Sequence, residues 1–280
     1  MIKPLLQDDA LLADVRTASA ARPDQLHVWW LGQSGFLVAW EHHYLLIDPY
    51  LSDSLTKKYA NTEKPHIRMT ELVVAPERLD FINVVTSSHN HTDHLDGETL
   101  IPLLATNPDL PVIVSRANVE FAANRMQVRA DRLTPIRVDD SLIHVGPFAF
   151  QAVPAAHEAL EQDANGDYKC IGLIVEVAGK TIYHSGDCIP YAGLAERLRQ
   201  WEINVAMLPI NGRDPARGVP GNFTGQEAAE LGKAIGAGLV IPCHYDMFEF
   251  NTVSPDGFEE AARGVEQPYR VMMCGGRLDL

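Results

Sequence analysis

Ser88-His89-Asn90-His91-Thr92-Asp93-His94 puts three imidazoles and a carboxylate within six residues, directly after the apolar run Phe81-Ile82-Asn83-Val84-Val85. A neutral imidazole nitrogen held in one orientation is the commonest metal ligand in proteins. In an extended segment His89 and His91 point to one side, while Asp93 and His94 open the next turn and reach a second position. One tetrahedral ion has no room for all four together with donors from elsewhere in the chain. The run therefore calls for two ions.

Three further donors each end a predicted strand: His157 after Phe148-Ala149-Phe150-Gln151-Ala152-Val153, Asp187 after Lys180-Thr181-Ile182-Tyr183, and His244 after Leu239-Val240-Ile241-Pro242. Strand ends on one rim of a sheet are where α/β proteins gather their sites. The seven donors divide into His89, His91 and His157 for one ion and Asp93, His94 and His244 for the other. Asp187 stands between them, because the two oxygens of one carboxylate serve two cations. A pair of divalent ions acidifies water for hydrolysis, with Asp93 and Asp187 as the catalytic carboxylates. The other histidines lack such company. His27, His42, His43, His66 and His144 read as surface or partly buried polar residues, and His184 as a helper on the strand that carries Asp187. Cys188 and Cys243 flank two of the ligands, but neighbours on a strand face opposite ways, which sends both into the core.

Apolar spacing predicts an N-terminal helix over about 4–20. From Leu26 the pattern changes to short β-branched and aromatic runs broken by Gly32, Gly35 and Pro49, which read as antiparallel strands. Later strands alternate with helical patterns at about 116–126, 190–200, 225–236 and 255–265. Hairpins followed by alternating strands and helices predict an α/β fold, a four-layer αββα sandwich formed by one domain over 1–280. The polar stretch at about 57–76 has no firm period and reads as a loop or helical insertion beside the site.

Composition narrows the partners. The 280 residues carry 23 Lys and Arg against 37 Asp and Glu, a net charge of −14, which opposes binding to phosphate backbones. A local basic pocket stays compatible with this balance, but no nucleic-acid partner is expected. No apolar run approaches the roughly 20 residues of a membrane span, and the N-terminus lacks the apolar core of a signal peptide. Four widely spaced cysteines read as free thiols in the cytoplasm.

The order H-x-H-x-D-H, lone His, lone Asp, lone His resembles the metallo-β-lactamase superfamily, from about Leu26 to His244. That likeness implies the sandwich fold, hydrolysis, and the seven donors as metal ligands. A second likeness, to the L-ascorbate-6-phosphate lactonases, rests on Trp30-Leu31-Gly32-Gln33-Ser34-Gly35, Asp48-Pro49-Tyr50-Leu51, Pro209-Ile210-Asn211-Gly212-Arg213-Asp214, Gly221-Asn222-Phe223-Thr224 and His244-Tyr245-Asp246-Met247-Phe248. Cys243 departs from that pattern, where glycine is expected. This likeness implies opening of a lactone ring on a small phosphorylated sugar acid, manganese where the wider superfamily favours zinc, and a homo-oligomer. Arg213, Arg217, Asn222 and Thr224 are the candidate substrate-binding residues, since guanidinium groups capture phosphate or carboxylate bidentately. Thr224 with Glu227 also spells a helix capping box. The alternatives on the same site are a phosphodiesterase and a lactonase acting on an unphosphorylated sugar lactone.

Overall fold

The computed structural model describes residues 1–280. Helix α1 (Asp9–Ala21) starts later than the apolar spacing suggests and buries Leu11, Val15 and Ala18 on one face. It is followed by strands β1 (His27–Gly32), β2 (Gly35–Trp40) and β3 (His43–Ile47), the short helix α2 (Ser54–Tyr59), and β4 (Val84–Ser87). Next come α3 (Gly97–Thr106), β5 (Val112–Ser115), α4 (Val119–Met126), β6 (Thr134–Ile136), β7 (Ile143–Val145), β8 (Phe148–Pro154), β9 (Ile171–Val177) and β10 (Lys180–His184). The chain closes with α5 (Leu194–Leu198), β11 (Val205–Pro209), α6 (Gly225–Ile235), β12 (Leu239–Cys243), α7 (Asp256–Gly264) and β13 (Arg277–Asp279). No helix is long and apolar enough to cross a membrane.

Two sheets form. One runs β13, β1, β2, β3, β4, β5, β6, and the other β12, β11, β10, β9, β8, β7. Strands β1, β2, β4, β5 and β11 are buried almost throughout, as strands covered on both faces must be. Each fully buried Val, Leu or Ile in these strands contributes about 1.5–3 kcal/mol. Helices cover the outer faces, with α4 on β5 and α6 on β11 and β12. This is the αββα sandwich.

Strand direction explains where the donors meet. Strands β3, β4 and β5 are mutually parallel, as are β10, β11 and β12. Strand β8 is antiparallel to β9, which is antiparallel to β10, so β8 and β10 run the same way. The chain therefore leaves β3, β4 and β5 on one rim of the first sheet, and β8, β10 and β12 on one rim of the second. Asp48, the 88–94 segment, His157, Asp187 and His244 all follow such exits. The 57–76 stretch forms the end of α2 and a loop anchored by Arg68, whose guanidinium donates to Asp53 Oδ1 (2.6 Å) and the Thr70 carbonyl (3.1 Å).

Candidate metal centre

All seven expected donors converge. His89, His91 and His157 form one group and Asp93, His94 and His244 another, with the ligand atoms of each group within 4.8 Å of one another. Asp187 joins the two. Its Oδ1 lies 3.2 Å from His94 Nε2, and its Oδ2 lies 3.4 Å from His157 Nε2 and 3.3 Å from His244 Nε2.

Backbone shape sets these positions. Gly186 has φ +58°, and a Cβ there would meet the Ser88 Cβ at 2.7 Å, so only glycine brings Asp187 this close to the 88–94 segment. His184 steadies the same turn: its Nδ1 accepts from the Gly186 N–H (3.2 Å), and its Nε2 lies 3.0 Å from the Ser34 carbonyl across the sheets. Gln33, Asp48 and His244 also have positive φ, at +51°, +41° and +63°. Strained non-glycine residues of this kind collect at functional sites.

Partners behind the donors fix which nitrogen faces inward. Asp48, fully buried, has Oδ2 2.7 Å from His94 Nδ1, leaving His94 Nε2 toward Asp187. The same carboxylate accepts from the Ser88 N–H (2.9 Å) and from the Ser88 hydroxyl. Ser88 Oγ also lies 3.0 Å from His89 Nδ1. The Gly221 carbonyl stands 2.9 Å from His157 Nδ1 and turns that Nε2 inward.

Three buried atoms that face the centre, His89 Nε2, His94 Nε2 and Asp187 Oδ1, make no aligned hydrogen bond within the protein, although the last two stand 3.2 Å apart. Leaving such a group unmatched costs about 1–3 kcal/mol. Divalent cations satisfy all three at once, and imidazole with carboxylate is a donor set that such cations accept. The residues fit the group that the sequence implies. Without metal, burial works against charge on His94, yet the Asp187 and Asp93 carboxylates outweigh it and hold its pKa well above the usual value. Burial, with His94 beside it, pushes His89 well below, so that ring keeps a free lone pair.

A cavity of about 490 Å³ opens onto His91, Asp93, His157, Asp187 and His244. The same cavity is lined by Lys58, Tyr59 and His66 from α2 and the following loop, Phe121 and Arg125 from α4, and Phe248 and Phe250. His66 is partly buried, as expected, and also lines this cavity, stacked on Tyr59 at 4.2 Å between ring centres. His27 is buried, with Nδ1 2.8 Å from Asp279 Oδ1. Cys188 and Cys243 lie in the core as expected, and all four cysteines are free.

The four expected substrate-binding residues sit on the neighbouring loop and do not line this cavity. Arg213 holds Glu227 in a bidentate pair, one bond of 2.7 Å. Arg217 donates to the Asn211 carbonyl (2.5 Å), and Asn222 donates to Asn211 Oδ1 (3.0 Å). Thr224 caps α6, accepting from the Glu227 N–H while the Glu227 carboxylate accepts from the Thr224 N–H (2.9 Å). The positive charges that do face the cavity are Lys58 and Arg125, the latter already donating to the Asn90 carbonyl (2.7 Å). Sequence reading did not assign Asp48, Gln33, Lys58 or Arg125 a role, since each becomes meaningful only once distant segments meet.

Residues 43–245 match the family described as the Beta-lactamase superfamily domain. The chain belongs to the metallo-β-lactamase superfamily. It is a metal-dependent hydrolase, as relatives within the superfamily are named. A metal-dependent hydrolase of Alkaliphilus metalliredigens is 27% identical over 250 residues, covering 85% of this chain and 93% of that one. A protein of Escherichia coli (strain SMS-3-5) named as a probable L-ascorbate-6-phosphate lactonase is 27% identical over 196 residues, covering 66% of this chain but only 55% of the lactonase. Among solved structures, a metallo hydrolase from Ignicoccus hospitalis superposes with a TM-score of 0.66 at 19% identity, over 91% of this chain and 98% of its own. That likeness concerns the fold.

Proposed function

We propose that this metallo-β-lactamase-superfamily chain binds two divalent ions, manganese or zinc, and opens the lactone ring of a small anionic sugar acid, with L-ascorbate 6-phosphate as the leading candidate. The observation that carries the reading is Asp187, whose two oxygens face His157 of one donor group and His94 and His244 of the other. A carboxylate so placed is suited to bridge two cations. The resemblance to lactonases supports the substrate class.

When bound, the ions supply Lewis acidity toward the carbonyl and a water acidified toward neutrality. His89, His91 and His157 would hold one, and Asp93, His94 and His244 the other. The protein's own work is orientation. Asp48 and the Gly221 carbonyl fix the rings of His94 and His157, so that both Nε2 lone pairs point inward. Asp93, which lines the cavity together with Asp187, is the carboxylate assigned to take the proton released by the attacking water and pass it to the departing ring oxygen. Lys58 meets the substrate's phosphate or carboxylate, and Arg125 adds positive potential to the same cavity.

Ring opening of L-ascorbate 6-phosphate and of unphosphorylated sugar lactones, by metal-free protein reconstituted with manganese or zinc, tests the proposal. Metal-dependent turnover of the phosphorylated lactone is the expected result. Turnover confined to bis(p-nitrophenyl) phosphate would replace the lactonase reading with a phosphodiesterase.

A further inference from the structure

Gln33 lies in the tight turn between β1 and β2, in the left-handed region at φ +51° and only 1% exposed. Its carbonyl accepts from the His244 N–H (2.9 Å) and from Trp30 Nε1 (3.0 Å), which locks the turn against the loop after β12. Its side chain enters the metal centre. Nε2 stands 2.7 Å from Asp93 Oδ2 and 2.9 Å from His244 Nε2, and Oε1 is buried with no partner.

We propose that Gln33 is a further metal ligand, binding through Oε1 the ion held by Asp93, His94 and His244; the inference rests on the dinuclear reading above. The two ends of a carboxamide are nearly equal in size, so a half-turn of the terminal torsion exchanges them without moving the chain. Turned, Oε1 occupies the place of Nε2, within about 3 Å of two donor atoms of one group, a spacing typical of adjacent ligands around a single cation. Without an ion, the Asp93 carboxylate faces this point, and an N–H is the right answer to it. With an ion, the Asp93 oxygen and the His244 Nε2 would both serve the cation, and the N–H would lose its acceptor. The orphaned oxygen then gains a partner. A neutral oxygen donor also suits harder cations, favouring manganese over zinc at this position.

The test compares the full-length protein with Gln33→Asn, Gln33→Ala and Gln33→Glu, each stripped of metal and titrated with Mn(II) and Co(II). Asn tolerates positive φ and keeps the carboxamide but is one methylene short; Glu keeps the length and the oxygen. The readouts are equivalents bound after dialysis, the visible band of the Co(II) form, and the melting temperature. The expected result is two equivalents for the wild type and Gln33→Glu. In Gln33→Asn and Gln33→Ala the first equivalent is unchanged, the second is weakened about tenfold or more, and the Co(II) band intensifies as the ligand number falls. Wild-type affinity and an unaltered band in both shortened variants would overturn the assignment, as would loss of both equivalents together with a collapsed melting temperature. A wild type that binds one equivalent contradicts the dinuclear reading instead. The band of that single ion, altered or unaltered in Gln33→Asn, then decides Gln33 on its own.

Discussion

Asp48 governs which nitrogen His94 presents. Its carboxylate is fully buried and shared among the His94 ring, the Ser88 N–H and the Ser88 hydroxyl, so it orders the start of the 88–94 segment as well as one ring. Replacing such a partner typically costs 10–100-fold in metal affinity. We expect Asp48→Ala to lose about that much in Mn(II) or Zn(II) binding, measured by competition with a chelator, while far-UV dichroism stays native. Lys58 acts on the substrate side. Lys58→Ala should raise KM for an anionic lactone several-fold and leave kcat nearly unchanged, since it meets the charge and not the reacting carbonyl. A fall in kcat with unchanged KM would place Lys58 in the chemistry instead. The ligand run could be read from spacing alone, because His89, His91, Asp93 and His94 are adjacent in the chain. Asp48 and Gln33 could not, because their roles exist only where β1, β3 and β4 end beside one another.

At the scale of elements, strands with strong β-branched periodicity were legible, and short or interrupted elements were not. Strand β13 is three residues long and exists because it pairs with β1, with Asp279 beside His27. Helix α3 begins at a glycine and contains Pro102, features that argue against a helix locally and are overridden by burial of Leu100 and Leu103 in the core. The α6 capping box is the opposite case, written in four residues. Thr224→Ala should lower stability by about 1 kcal/mol, read as a shift in melting temperature larger than any change in kcat/KM. Glu227 adds a pH dependence. Burial raises its pKa, but Arg213 and the Thr224 N–H outweigh that and hold it below the ordinary value. Its ionised form therefore stabilises the fold above the usual glutamate pKa of about 4.3, and this contribution is lost as pH falls through the lower folded value. Glu227→Gln should be less stable than wild type at pH 7 and converge on it as the pH falls below the lowered folded value, read by urea titrations. Equal stability at pH 7 would show that Arg213 and Glu227 gain nothing from their pairing.

Over the whole molecule, the net charge of −14 contrasts with the two cationic side chains, Lys58 and Arg125, that line the cavity. Substrate capture should weaken as salt rises, because screening removes the steering of an anion toward Lys58 and Arg125. The sandwich brings five strand exits from two sheets to one rim, and Asp187 spans the two donor groups that result. The most direct test is therefore a metal count coupled to turnover. Metal-free protein titrated with Mn(II) is predicted to bind two ions per chain, with L-ascorbate 6-phosphate hydrolysis rising as both positions fill, and Asp187→Ala is predicted to lose ions and turnover together. Undiminished turnover by chelated, metal-free protein, or by Asp187→Ala, would contradict the account.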